Sequence, residues 1–271
     1  MSARRVISCD LAFTVIEPAE VVLQIAASSD AGQVVEERLS VLTGNGPPTS
    51  MEELHGPLGA RLQVITSAPG RLSIAYRAEI DAAGVTGTAG THYERQLYLR
   101  PSRYCPSDHL VGFAVAEFGA GDDTGARVAA IAEWIWRRIG YVPGSSSVHD
   151  SAEDTLLTGV GTCRDFAHLG IALCRATGIP ARFAAVYAPG LWPMDFHAVF
   201  EALVDGRWQA HDTTRLAPRT SMVRMVTGRD AADAAFAAIT RGIANLELID
   251  VSATVSGLLP LDDHSGVVEL A

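Results

Sequence analysis

Positive charge is scarce in this chain of 271 residues: 21 Lys and Arg stand against 31 Asp and Glu, giving a formal net charge of -10 and a pI near 5.2. That balance disfavours a nucleic-acid partner, because phosphate binding needs a concentrated basic face that releases counterions. Long apolar runs are also missing. None reaches the ~18 residues that a membrane-spanning helix needs, so no membrane association is expected. Two arginines stand near the start, yet Val6 to Val15 is interrupted by Ser8, Asp10 and Thr14. No signal-peptide core forms there, and a cytoplasmic protein is the expectation. Cysteine is sparse as well: the four, at positions 9, 105, 163 and 174, include no C-x-x-C pair. They fit neither a zinc site nor a disulfide framework, and they suit a reducing compartment. Neither a metal nor a cofactor is implied.

With 48% hydrophobic and 19% charged residues, no long tract is too polar to fold. From Val6 to about Arg100 the chain reads as short half-buried strands: Val6 to Val15, Val21 to Ala27, Val34 to Leu42, Leu62 to Thr66, Leu72 to Ile80 and Tyr93 to Leu99. Turn clusters at Gly44-Asn45-Gly46-Pro47-Pro48 and Ala68-Pro69-Gly70 separate them. Helical periodicity follows over Asp108 to Phe118 and Thr124 to Ile139, and Asp150 is placed to cap a short helix through Leu157. Later segments read as two strands, an irregular stretch from Thr213 to Arg229, an alanine-rich helix from Asp230 to Ile239 and a last strand near Leu246 to Val255. The expected division is a β-rich domain over 1–105 and an α+β core over 106–271.

Chemistry concentrates in Gly159-Val160-Gly161-Thr162-Cys163-Arg164-Asp165-Phe166, a glycine-rich turn that enters a helix ending before Gly178-Ile179-Pro180. Thr162 as N-cap puts Cys163 at the first helical position, where unpaired N–H groups and the helix dipole favour a thiolate and can hold an oxyanion. Cys174 lies mid-helix among apolar neighbours and reads as core, and Cys9 and Cys105 as structural. A thiol nucleophile needs a base and an acceptor to orient it. Val204-Asp205-Gly206-Arg207 is a two-residue hairpin signal. Pairing Val204 with Arg207 sets Val199 opposite Asp212 and His197 opposite Thr214. His197 and Asp212 then become diagonal neighbours about 7 to 8 Å apart at the backbone. His211 falls on the other face, and His168 points away from Cys163 and reads as packing.

At these residues the chain resembles the transglutaminase-like superfamily, in its bacterial branch with a β-rich N-terminal domain. The matching segments are Gly161 to Leu169 with Gly178-Ile179-Pro180-Ala181-Arg182, then Asp195-Phe196-His197-Ala198-Val199-Phe200-Glu201, then Trp208 to Arg215, with further likeness over Arg100 to Asp108 and Gly228 to Asp233. The resemblance implies a papain-like core and a Cys163, His197, Asp212 triad that transfers the acyl group of a peptide or amide through a thioester. It implies Cys163 N–H as one arm of an oxyanion hole, with Tyr141 the candidate for the second. Trp192 is either a wall of the acyl pocket or a core tryptophan. No calcium-binding loop is recognisable. Hydrolysis of an amide is the first expectation, transamidation the alternative, and a non-catalytic binding module the third.

Overall fold

A computed structural model of the chain describes residues 4–44, 50–81, 87–119, 121 and 123–270. All but the first residue of the Gly44 to Pro48 turn cluster lies outside them. The fold has two antiparallel sheets with a helical layer between them in sequence. The first sheet is built on a long strand, β1 (Arg5–Leu23), whose buried Ile7, Cys9, Leu11, Phe13 and Val15 alternate with more exposed residues over most of its first half. Along it come β2 (Gln33–Thr43), β3 (Met51–His55), β4 (Arg61–Ser67) and β5 (Gly70–Asp81), in the order β2-β5-β1-β4-β3.

The helical layer consists of α1 (His92–Leu97), α2 (Val111–Phe118), α3 (Thr124–Arg138), α4 (Ala152–Thr158) and α5 (Cys163–Ala176), with a small parallel pair, β6 (Gly140–Tyr141) and β7 (Val160–Gly161). The second sheet has the order β10-β9-β8-β11, from β8 (Ala181–Tyr187), β9 (Phe196–Val204), β10 (Arg207–His211) and β11 (Val223–Gly228). β12 (Ala237–Val255) closes the described elements.

One buried cluster runs from the first sheet (Ile7, Leu11, Tyr76) through α5 (Phe166, Leu169, Leu173) to the second sheet (Phe183, Phe200). Alternation sends Ala184, Val186 and Val199 to the opposite face, where they pack with Ala210, Met222 and Leu270. Each large apolar side chain so buried contributes about 2 kcal/mol. A chain of buried charges, Glu94–Arg182–Glu201–Arg224, crosses the second sheet, with Arg182 Nε 2.7 Å from Glu201 and its Nη1 2.9 Å from Glu94. Such groups stay buried because each ion has a partner of opposite sign.

Several elements differ from the sequence reading. Tyr93 to Leu99 is not a strand. Thr91 Oγ1 accepts from Glu94 N–H at 3.1 Å and Glu94 accepts from Thr91 N–H at 2.8 Å, so reciprocal capping starts α1 instead. Ser151, not Asp150, caps α4. The stretch from Thr213 to Arg229 contains β11. Residues 230–239 form no helix: the Asp230 carboxylate accepts from Tyr104 N–H (2.9 Å) and Ala232 N–H (2.9 Å), and from Ala237 onward the chain pairs with β1. Val21 to Ala27 and Val6 to Val15 merge into β1, which ends at Leu23. The last strand is longer than expected and lies in the first sheet, Arg5 opposite Val255 and Leu23 opposite Ala237.

Candidate active site

α5 begins where the sequence places it. Gly159, at φ +71°, ends α4 in the left-handed region, and the next two residues pair with Gly140 and Tyr141. Gly161 has no room for a side chain, since a Cβ there would lie 2.7 Å from the Asp165 Cβ. Asp165 reaches back over the helix start and accepts from Thr162 N–H and Thr162 Oγ1, both at 2.8 Å. Burial opposes its charge, but these bonds and Arg164 hold its carboxyl below the usual range. Arg164 also donates to Ser146 Oγ (2.6 Å) and to the Ser147 carbonyl, tying the 142–150 loop to the helix start.

Cys163 is thus the first helical residue, next to N–H groups that have no acceptor inside the helix. It is the partly exposed cysteine of the four free ones. Burial pushes the Cys9 thiol up to about 11 and those of Cys105 and Cys174 up to about 12, so those three remain protonated near neutral pH.

The hairpin register is as derived: Val204 pairs with Arg207 and Phe200 with His211, so Asp212 follows directly after β10, diagonal to His197. Their side chains meet, His197 Nε2 to Asp212 Oδ2 at 3.1 Å, both buried. Asp212 Oδ1 accepts from Thr214 N–H (3.0 Å) and Thr214 Oγ1 (2.6 Å), which fixes the carboxylate plane. Burial opposes charging the imidazole, yet the Asp212 carboxylate and Cys163 raise the His197 pKa to about 10. Asp212 is correspondingly lowered against its burial, by the charge and hydrogen bond of His197 and by Thr214. With Nε2 on Asp212, the buried Nδ1 is left without a hydrogen-bond partner among the described residues, while Cys163 is close enough to act on the ring.

The remaining candidates separate. Tyr141 sits on β6 beside β7, its ring 6.0 Å from that of Phe166, and it is 39% exposed. Burial raises its phenol to about 12, with Cys163 and Asp195 adding to the effect, so it keeps its proton at neutral pH. Trp192 is 84% exposed on the loop before β9, which removes the core-tryptophan alternative. His168 is buried; its Nε2 accepts from Ala231 N–H at 3.1 Å and its ring stacks on Tyr104 at 5.1 Å, and burial lowers it to about 3. His211 stacks on Phe200 at 5.1 Å and is lowered to about 3 by burial and by Arg219. Both are neutral packing groups.

Segments 100–108 and 228–233, which carry no chemistry in the sequence, converge on α5. Arg175 donates to the carbonyls of Ala181, Arg100 and Arg229 and to Ser102 Oγ. They brace the helix that presents Cys163. Sequence reasoning missed the role of Thr214, although a Thr two residues past a buried Asp is a recurrent local turn signal. Among the described residues no three His, Cys, Asp or Glu side chains are grouped to hold a metal ion. No described helix is long and apolar enough to cross a membrane. A groove of about 610 Å³ lies between α3 and residues 263–268, and another of about 520 Å³ is lined by Thr91, Arg127 and Leu203. Cys163 and His197 line neither.

Comparison with known proteins gives three findings. The family model described as "Transglutaminase-like superfamily" matches residues 114–213, the stretch that holds Cys163, His197 and Asp212. The crystal structure of a "Putative Cysteine Protease" from Cytophaga hutchinsonii is 34% identical, with a TM-score of 0.87 over 98% of this chain and 96% of that one. An uncharacterised protein of Mycobacterium leprae is 29% identical over 148 residues, 51% of this chain and 52% of that protein. The matched segment therefore spans about half the length of that curated relative.

Proposed function

The chain belongs to the transglutaminase-like superfamily, and from that premise we propose that it is a cysteine-dependent enzyme that opens amide or peptide bonds through a Cys163 thioester. One observation carries the reading: a buried histidine bonded through Nε2 to Asp212, with Nδ1 open and Cys163 acting on the ring. His168 and His211 also each bury one unpartnered ring nitrogen, so what sets His197 apart is the carboxylate bonded to one side of its ring together with the Cys163 thiol acting on it.

In the proposed cycle the Cys163 thiolate adds to the amide carbonyl carbon. The oxyanion is held by Cys163 N–H and by the Tyr141 hydroxyl. The C–N bond breaks as His197 Nδ1 gives its proton to the leaving nitrogen, which leaves a thioester. Water then attacks the thioester while His197 takes one of its protons. The C–S bond breaks, releasing a carboxylic acid and the Cys163 thiolate beside the protonated His197, which restores the starting pair. Asp212 keeps the ring in the orientation and tautomer that both transfers need. Trp192, exposed on the loop before β9, is proposed to wall the acyl group. A reducing compartment, as expected for a cytoplasmic protein, would preserve the thiol.

An amine in place of water gives transamidation from the same thioester. The chain contains no lysine, its 21 basic residues all being arginine, so a lysine acceptor must come from another molecule. The deciding experiment is alkylation by iodoacetamide near neutral pH, mapped by mass spectrometry. Cys163 is expected to react at least tenfold faster than Cys9, Cys105 and Cys174, and to slow about tenfold in His197→Ala. Equal reactivity of all four in folded protein would remove the catalytic reading and leave a binding module. Peptide amides supplied with and without an added amine then separate hydrolysis from transfer.

A further inference from the structure

The loop between β8 and β9 presents Trp192, given above as a wall for the acyl group, and a second side chain, Asp195, to which the proposed acyl transfer assigns no part. Leu191 is buried in the second core, and Gly190, at φ +101°, is pressed against Pro218 and Leu259, where a Cβ would approach Pro218 Cδ to 3.0 Å. This loop is anchored, and still it holds Trp192 84% exposed, the reverse of what burial of so large an apolar surface favours. Three residues on, Asp195 is exposed at the entrance to β9, two positions before His197. Its Oδ1 accepts from Phe196 N–H at 2.7 Å, and among the described residues its other oxygen has no hydrogen-bond donor; partial burial raises the pKa of its carboxyl, against which the Phe196 N–H and the His197 charge act. Arg164, the cation next to Cys163 in sequence, is committed to Asp165, Ser146 and Ser147.

Tyr141 pairs with Gly161, two residues before Cys163, and the charges of Cys163 and Asp195 both act on its phenol. A carboxylate with one unbonded oxygen, two positions before His197, and a phenol on the strand that pairs with the residues leading into Cys163 suit an ammonium or guanidinium group, which gains a charge pair and an aromatic face at once. The net charge of -10 favours the same sign of ligand at longer range.

We infer that Asp195 is a specificity-determining residue, selecting substrates that carry a cationic group on the leaving-amine side of the bond attacked by Cys163. The nitrogen side follows from position, since Asp195 neighbours His197, the residue that hands its proton to the leaving nitrogen. The inference rests on the catalytic reading above, and the experiment keeps the two apart.

The test measures alkylation of Cys163 by three reagents of similar size: 2-bromoethylammonium, iodoacetamide and iodoacetate, in wild type, Asp195→Asn and Asp195→Glu. Intrinsic reagent reactivity cancels when each variant is compared with wild type. In Asp195→Asn the cation-to-anion rate ratio should fall roughly 5- to 10-fold, as expected for one charge several ångströms away at a partly solvated site. The iodoacetamide rate should stay within about twofold. The Glu variant should recover most of the ratio, and about 0.5 M salt should shrink the difference. For peptide amides, kcat/KM should favour Lys or Arg over Glu after the scissile bond in wild type and lose that preference in Asp195→Asn. An unchanged ratio, with iodoacetamide still selective for Cys163, overturns the role of Asp195 alone. Failure of iodoacetamide to select Cys163 in wild type removes the catalytic reading, and this one with it.

Discussion

The hydrogen bond of 3.1 Å between His197 and Asp212 sets the charge of the imidazole. Because the His197 pKa is raised to about 10, the ring carries its proton at neutral pH and stabilises the fold through that charge. The contribution is present in full below the unfolded histidine value near 6.5 and fades as pH rises through about 10. Asp212 has a lowered pKa, so its share is present above the unfolded carboxylate value near 3.9 and is lost as pH falls below it. Asp212→Asn should therefore cost about 3 kcal/mol at pH 5.5, clearly less at pH 9.5, with pH 7.5 between. Urea midpoints of the two proteins at those pH values check this, and a pH-independent difference would contradict it. The pair is legible in the sequence because Asp205-Gly206, with φ of 49° and 77°, fixes a two-residue turn and hence a register. Asp195 and Thr214 are not legible that way. Their contacts are local and have no periodic signature, and only the folded structure shows that Thr214 bonds Asp212 twice while Asp195 keeps one carboxylate oxygen without a donor among the described residues.

α5 was the most readable element, and its packing shows why. Thr162, the apolar stripe and Gly178 mark its ends and its buried side, and the helix lies against β9 with Gly170 facing the Phe200 ring. Ala in place of Gly170 raises helix propensity by about 1 kcal/mol. Its methyl, however, would overlap the Phe200 ring, which is fully buried and stacked on His211 and so has nowhere to move. Steric cost should win, with a net loss of about 1–3 kcal/mol in chemical denaturation of Gly170→Ala. A more stable variant would show that the contact relaxes cheaply. The alanine-rich segment after Asp230 illustrates the opposite case. Its local preference for helix is overridden because Asp230 is held by Tyr104 and Ala232, and because β1 offers a ladder of backbone hydrogen bonds to the residues from Ala237 to Val255. Alternation shows that a segment is a strand, not which strand it pairs with, so the return of β12 to the first sheet was beyond the pattern.

That return bears on how the chain unfolds. A boundary near residue 105 would leave two bodies, each with its own core. Instead β12 pairs along the whole of β1, and Cys9 of β1 and Cys174 of α5 lie in one buried cluster. Further ties cross between the sheets: Tyr187 Oη donates to the Ile25 carbonyl at 2.8 Å, Ser28 N–H to the Arg224 carbonyl at 2.9 Å, and the Tyr76 and Tyr187 rings lie 6.5 Å apart. A shared apolar core couples the stability of its parts, whereas small polar contacts between domains do not. We therefore expect one cooperative transition despite a length at which separate steps are common. The two cysteines report on it without added labels, since burial and raised pKa values protect both thiols in the folded state. Pulsed alkylation across a urea series, resolved by mass spectrometry, should give Cys9 and Cys174 the same midpoint within about 0.3 M. With a slope of a few kcal/mol per molar for a chain of this size, a split of ~1 M would mean parts differing in stability by several kcal/mol, and the boundary near residue 105 would then be a true domain border.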